Sequence, residues 1–216
     1  MAFMTPMGRN CTAIALLAFA PSLALAGPHD PQIPEISHQT ESAGYSMAAP
    51  QAVAIDTKMS AEIAARAATD CSNTWQVFTD FDAMPRFLPG MEASKVLSRE
   101  GGRVTVMQRG HHKYGIFSKR YKSERELTMR EPELIESRSL PGDEMAITSS
   151  TSFTPTAQGG CAIAYSAIIE LPTWVPGATA EGFVKSLAST QMRAMLAEVQ
   201  RRYPPGLVPA TARPQG

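Results

Sequence analysis

The chain has 216 residues with 20 basic and 20 acidic side chains, so its formal net charge at neutral pH is zero. A balanced charge argues against a nucleic-acid-binding protein, which normally carries a basic excess. The spacing of the histidines and cysteines is not that of a metal site, and we expect neither a metal nor another cofactor.

Residues 1–26 are predicted to be a secretory signal peptide. Arg9 is their only charged residue, and it precedes an apolar run that ends in Ala-Leu-Ala. This layout is typical of a cleavable export signal. A transmembrane anchor is disfavoured because the run is shorter than about 20 residues and contains Pro21. We therefore expect cleavage after Ala26 and a periplasmic or extracellular protein.

Three further segments follow. Residues 27–58 are rich in Pro, Ser, Ala and Gln without an apolar period, and residues 204–216 are similar. Such composition predicts a disordered tether and a disordered tail. Residues 59–203, between them, are enough for one domain that buries roughly two-thirds of its unfolded surface.

The domain begins with a weakly alternating strand over residues 61–70. Asp70 or Ser72 can cap the helix that follows, whose apolar residues recur at helical spacing. Pro85 must break this helix, and a Pro-Gly pair closes the irregular stretch after it.

Six more strands follow, separated by short turns rich in glycine and proline, and strands joined in this way are antiparallel. Residues 178–203 then form a long helix with one apolar side. That side carries Val184, Ala188, Met192, Met195, Leu196, Val199 and Tyr203. The order predicts an α+β fold in which an antiparallel sheet curls around the long helix, with two short helices after the first strand.

Three stretches resemble the START-like superfamily, also called the helix-grip or birch-pollen-allergen fold. They are TWQVFTDFDAMPRFLPGM, EPELIESRSLPGDE and SFTPTAQGGCAIAYSAIIEL. Their order is most similar to that of the polyketide cyclase/dehydrase branch, which includes coenzyme Q-binding START proteins. The resemblance covers about residues 60–203 and implies a helix-grip fold with a curved seven-stranded sheet. Cys161 departs from the family pattern, which usually has threonine there.

The resemblance also implies a disulfide. In this fold the first strand pairs antiparallel with the last, which places Cys71, after the first strand, beside Cys161, at the start of the last. Cys11 is lost with the signal peptide, and the two remaining cysteines of an exported protein are more often paired than free. We expect a Cys71–Cys161 bond.

The resemblance implies a cavity that holds a lipid or other hydrophobic small molecule, such as a quinone or a sterol-like compound. The expected polar ligand contacts are Arg109, Tyr165 and whichever of His111 and His112 faces inward, since neighbours on a strand point to opposite faces. The expected apolar contacts are Met84, Phe87, Leu88, Phe117, Phe153, Phe183 and Leu187. The alternative is an ordinary, filled core.

An enzyme is the main alternative function, because the resembling family includes aromatase/cyclases and dehydratases that act on polyketide-like or aromatic substrates. The chain has no Gly-x-Ser-x-Gly motif, no nucleotide-binding glycine-rich loop and no obvious carboxylate pair. We therefore assign no catalytic residue and favour a binding protein. An envelope interaction protein is a third possibility.

Residues 109–125, here called the cationic hairpin, hold six Lys or Arg residues and one acid, interleaved with Tyr114, Phe117 and Tyr121. This pattern is compatible with peripheral contact with an anionic membrane. A solvated hairpin with outward charges is the favoured alternative.

Residues 79–91, TDFDAMPRFLPGM, are called the end segment below. Asp80 and Asp82 are predicted to be cap and turn residues rather than catalysts. Phe87 and Leu88 are expected to lean over one end of the curled sheet as a lid or end wall.

Overall fold

The computed structural model describes residues 39–42, 44–55, 58–115, 117–143, 145–171, 175 and 179–205, with the backbone alone at 39–42, 114 and 117. The predicted signal peptide, the first part of the predicted tether and nearly all of the predicted tail lie outside these ranges. None of the helices in the described part of the chain is long and apolar enough to cross a membrane.

The described residues form an antiparallel sheet and three helical segments. The strands are β1 (Gln39–Ser42), β2 (Tyr45–Ala48), β3 (Gln51–Ile55), β4 (Lys58–Ala67), β5 (Met91–Glu100), β6 (Arg103–Tyr114), β7 (Phe117–Arg130), β8 (Leu134–Ser139), β9 (Ala146–Pro155) and β10 (Cys161–Glu170). The helices are α1 (Cys71–Phe78), a 3-10 helix (Phe81–Arg86) and α2 (Ala180–Arg202).

The seven predicted strands correspond to β4 through β10. The spatial order is β1-β2-β4-β10-β9-β8-β7-β6-β5, with β3 also paired to β4, and the sheet does not close. The first and last predicted strands, β4 and β10, are therefore neighbours, as the resemblance implied. The α+β helix-grip fold is confirmed, with a sheet wider than seven strands.

Strands β1 to β3 correct the prediction of a disordered tether over 27–58. β2 pairs with the end of β4 through Tyr45 opposite Ala67, and β3 pairs with its start through Ala52 opposite Ala61. Met47 and Ala52 are buried there. Small residues such as Ala and Ser give only a weak period-two pattern, so the composition did not reveal these strands. They form because β4 offers an edge with which they can pair.

The helices largely follow their predicted boundaries. The Asp70 carboxylate caps α1 by accepting a hydrogen bond from the Asn73 backbone N–H at 2.8 Å. α1 ends at Phe78, before Pro85, which lies within the 3-10 helix. In α2, the predicted apolar side is the buried one, with Met192, Leu196 and Val199 packed into the main core.

The predicted disulfide joins the start of α1 to the start of β10. Cys71 and Cys161 are bonded, with 4.9 Å between their Cα atoms. The pairing of β10 with β4 creates this proximity, because Cys161 lies opposite Ala67, at the end of β4.

Candidate functional site

A cavity of about 220 Å³ lies between the inward face of the sheet and α2. Its apolar wall includes Phe78, Phe81, Met84, Leu88, Met91, Val106, Leu127, Ile135, Met145, Ile147, Ile169, Val184, Leu187, Ala188, Met192 and Met195. These residues come from α1, the end segment, strands β5 to β10 and α2. Protein interiors normally close-pack, so a space left between the two layers is a candidate ligand site.

Five of the predicted contact residues line this cavity, and one of them is the inward histidine, His112. Met84 and Leu88 come from the end segment, Tyr165 from β10 and Leu187 from α2. The small hydroxyl residues Ser149 and Thr151 of β9 also line it, and their short side chains leave space beside α2.

The other predicted contacts lie elsewhere. Phe153 is buried among aromatic rings, edge-on to Trp75 at 5.5 Å and to Phe78 at 5.2 Å between centroids. Phe183 belongs to a second buried cluster near the start of α2, and the Phe87 ring lies 5.8 Å from the guanidinium carbon of Arg202. The side chain of Phe117 is outside the described atoms.

Arg109 does not line the cavity and is exposed. Its position has a simple cause: Val104 and Val106 are buried on the inward face of β6, and side chains alternate along a strand, so Arg109 points outward. If these two valines are taken as the inward-facing residues, the alternation along β6 excludes Arg109 from the cavity. This could have been inferred from the sequence alone.

Of the two adjacent histidines, His112 faces inward. Its ring stacks on Tyr121 at 4.2 Å between centroids, and Phe183 meets it edge-on at 6.1 Å. Burial, followed by the neighbouring His111, lowers the pKa of His112 to about 4, so its imidazole is neutral near pH 7. The His111 side chain points to the opposite face of the sheet, and its Nδ1 lies 3.5 Å from the Glu92 Oε1.

Sequence reasoning missed Arg125, a cation on the inward side of β7. It lines the cavity, and its Nη2 donates to the Ser149 hydroxyl at 3.2 Å. Arg125 is two residues from the buried Leu127 on the same strand, so the two side chains point to the same face of the sheet. This spacing is the signal that could have identified Arg125 as an inward cation.

Hydroxyl groups surround this guanidinium. Ser137 on β8 lies opposite Ser149 on β9 and is buried. Burial raises the pKa of the Tyr165 phenol, against the smaller effects of the Arg125 charge and the Ser149 hydroxyl, so the phenol is protonated near pH 7. The cavity therefore combines a mainly apolar wall with a smaller number of polar side chains, which is the usual composition of a small-molecule site.

The end segment closes one end of the cavity and is fixed at several points. The Gly90 carbonyl accepts a hydrogen bond from the His111 N–H at 2.8 Å. The two backbones come so close that a Cβ on Gly110 would lie 2.0 Å from the Gly90 oxygen, so only glycine fits there. Asp82 accepts a hydrogen bond from the Val96 N–H at 3.1 Å, which ties the 3-10 helix to β5.

Asp80 has a different role from the predicted cap, because its side chain makes no capping bond to the 3-10 helix. Its carboxylate instead accepts a hydrogen bond from Arg202 at 2.8 Å. Arg202 also donates to Glu198, which accepts two bonds from Arg201, all at 2.7 Å. The last turn of α2 thus holds the start of the end segment.

The protein should lose stability under acid conditions as Glu198 becomes protonated. The hydrogen bonds from Arg201, and then those from Arg202, lower its pKa from 4.5 to about 2, against the effect of burial. The ionised Glu198 carboxylate is favoured in the folded protein, so its contribution to stability is complete above pH 4.5. That contribution is lost as the pH falls toward 2 and the carboxylate becomes protonated. Because Arg201 is mostly exposed, we expect Glu198→Gln to lower the free energy of unfolding at pH 7 by only about 1–2 kcal/mol.

Urea denaturation at several pH values checks this. The difference between wild type and Glu198→Gln should shrink as the pH approaches 2. Glu181→Gln, in the exposed Glu181–Lys185 pair of the same helix, is the matched control and should change stability by less than about 0.5 kcal/mol. Equal effects of the two substitutions would contradict the role of Glu198.

No cluster of His, Cys, Asp and Glu residues that could hold a metal ion occurs in the described part of the chain.

The fold has many solved counterparts. The Zhui aromatase/cyclase from Streptomyces sp. R1128 is 14% identical, with a TM-score of 0.53, covering 67% of this chain and 95% of that one. A STAR-related lipid transfer protein from Xanthomonas axonopodis is 12% identical, with a TM-score of 0.54, covering 73% and 99%. Human STARD10 is 15% identical, with a TM-score of 0.56, covering 77% and 74%. At these identities the likeness shows the fold alone.

No curated protein matches the sequence. A family profile does: residues 70–196 match the family described as "Polyketide cyclase / dehydrase and lipid transport". The match runs from the residue that caps α1 into the last turns of α2 and so includes almost every element that lines the cavity. The chain belongs to the polyketide cyclase/dehydrase and lipid transport family.

Proposed function

We propose that the protein is an exported binding protein that holds a lipid or other hydrophobic small molecule between the sheet and α2. The cavity itself is the observation that carries this proposal, because mainly apolar side chains from both layers face a space that they do not fill. Removal of the ligand's apolar surface from water would supply most of the affinity, at about 25 cal/mol per Å².

The flexible side chains in the wall suit such a ligand. Met84, Met192 and Met195 all line the cavity. Methionine adapts its shape to an irregular neighbour more easily than branched residues do. Quinones and sterol-like molecules fit this description, since each combines a large apolar frame with few oxygen atoms.

A cyclase or dehydratase using the same cavity is the weaker candidate. Such chemistry needs a positioned acid or base. His112 is the histidine of the cavity wall, and it forms ring contacts rather than an ion pair with any carboxylate of the described residues. A protein that only holds its ligand needs no such pair.

Export is proposed from the sequence of residues 1–26 and is supported by the Cys71–Cys161 bond. Disulfides persist in oxidising compartments and are rare in the cytosol.

Native mass spectrometry tests the binding function. The protein is purified gently from the envelope of its own host, and bound molecules are then extracted and identified. We expect a co-purifying apolar molecule, released intact. A protein that carries no adduct and takes up no apolar probe would contradict the proposal, and release of a chemically converted substrate would favour the enzyme.

We further propose that the cationic hairpin contacts anionic lipid headgroups. Arg109, Lys113, Arg120 and Lys122 are exposed. The strand register places Arg109 opposite Lys122. Like charges directly across a sheet repel, which favours an anionic partner. Tyr121 does not share this role, because it stacks on His112 inside the cavity.

Replacing Lys119, Arg120 and Lys122 with glutamate should weaken binding to anionic vesicles by about 100-fold or more, since each cation near such a surface contributes about 1 kcal/mol. Co-sedimentation with phosphatidylglycerol vesicles, compared with phosphatidylcholine vesicles, measures this. The control replaces with glutamate three exposed cations outside the hairpin, Lys95 and Arg99 on β5 and Arg130 at the end of β7. Equal binding of both triple variants would refute the contact.

A further inference from the structure

Arg125 is a cation inside the cavity without an internal counterion. Among the described residues it forms no ion pair with a carboxylate, and its Nε has no hydrogen-bond partner although that atom is buried. The hydrogen bond of its Nη2 is donated to the Ser149 hydroxyl. A half-buried charge that has one hydroxyl partner and no counterion carries a desolvation cost, which makes this an unusual feature for a protein that needs only a stable fold.

Asp143 also lines the cavity, but its two carboxylate oxygens accept hydrogen bonds from the Ser123 hydroxyl and the Glu124 N–H, at 2.8 Å and 3.1 Å. The rim adds two more cations, Arg120 and Lys122.

A second buried polar group lies on the adjoining strand. The Ser137 hydroxyl also lacks a hydrogen-bond partner and lines the cavity. Ser137 lies opposite Leu127, two residues along β7 from Arg125, and opposite Ser149 on β9. The Nε of one guanidinium and one hydroxyl, neither of which has a hydrogen-bond partner, therefore share one inward face on neighbouring strands.

We propose that Arg125 binds an oxyanion at the head of the hydrophobic ligand, assisted by the hydroxyl groups of Ser137 and Ser149. A guanidinium offers a planar fork of donors that fits the two oxygens of a carboxylate or phosphate. The ligand class is an anionic amphiphile, a narrower class than the neutral quinones and sterols. This inference rests on the proposed binding function.

The experiment compares probes that share a ten-carbon chain and differ in the head group: decanoate, monodecyl phosphate and decan-1-ol. Each displaces the neutral fluorescent probe N-phenyl-1-naphthylamine from the full mature protein, at fixed ionic strength. We expect wild type to bind at least one anionic probe about 10- to 100-fold more tightly than the alcohol, the usual range for charge-assisted hydrogen bonds. The better of the two anions identifies carboxylate or phosphate as the natural head group.

Arg125→Met is the test variant, because methionine keeps an unbranched, flexible stem, shorter than that of arginine, and removes the charge. It should lose the preference for the anion and keep its affinity for decan-1-ol. Arg138→Met on β8 is the matched control, since Arg138 is exposed and pairs with Glu126 on the outer face, and it should keep the preference.

Thermal unfolding of the empty protein gives a second readout. Removal of an unpaired enclosed charge should leave the melting temperature unchanged or raise it by a few degrees. A clear fall would show that Arg125 has a structural role and would overturn the proposal. Equal affinity of wild type for the alcohol and both anions would also overturn it while leaving the binding function intact. Failure of every probe, including the fluorescent one, would instead count against the binding function.

Discussion

Leu88→Asp is expected to abolish uptake of apolar probes while most of the fold remains. Leu88 is only 7% exposed and belongs to the cavity wall formed by the end segment. An aspartate there would place a carboxylate against the ligand, and enclosing an unpaired charge costs several kcal/mol. We therefore expect affinity for N-phenyl-1-naphthylamine to fall by more than about 100-fold.

Fluorescence titration measures this loss, and circular dichroism checks that the sheet is retained. Leu97→Asp on β5 is the matched control because Leu97 is 49% exposed. The control should bind the probe as wild type does. Unaltered uptake by the Leu88 variant would refute the assignment of the end segment as a cavity wall.

Loss of the disulfide should produce the largest change in stability. Cys71 and Cys161 are separated by 90 positions in the sequence. Cross-linking a loop of that length restricts the unfolded chain enough to stabilise the fold by about 4 kcal/mol in the chain-entropy model. The double variant Cys71→Ala, Cys161→Ala should therefore melt about 10–15 °C below wild type.

Calorimetry with and without a reductant measures this effect. The reductant should lower the melting temperature of wild type toward that of the variant and should leave the variant unchanged. Intact mass of protein from an oxidising compartment should show no free thiol. Two free thiols, or equal melting temperatures of wild type and variant, would contradict the assignment.

The regular part of the fold was predictable because its signals are local and strong. Glycine and proline turns separate β5 to β10, and the apolar side of α2 recurs at helical spacing. The disulfide required one non-local step, the pairing of the first strand with the last, which came from the family resemblance. Strands β1 to β3 were missed because their alanines and serines give little pattern and because β4 determines their conformation.

The cavity was predicted less well than the fold, for a physical reason. Met84 and Leu88 were identified because large apolar residues in an irregular segment need a buried neighbour. Arg109 and Arg125 look alike in the sequence, yet only Arg125 lines the cavity. Strand parity distinguishes them, but parity becomes useful only after a buried residue on the same strand fixes which face is inward.

The attachments of the end segment have a mechanical consequence for ligand exchange. The Cys71–Cys161 disulfide fixes the start of α1, the helix that precedes the end segment. Arg202 holds Asp80 near the beginning of the segment, and the hydrogen bond from the His111 N–H holds Gly90 near its end. A segment fixed at both ends is not free to open, so we expect the ligand to exchange elsewhere along the cavity wall, for example where Lys122 on β7 and Leu187 on α2 line it. Lys122 belongs to the cationic hairpin, so a protein bound to a membrane through the hairpin would have this part of the cavity next to the lipid.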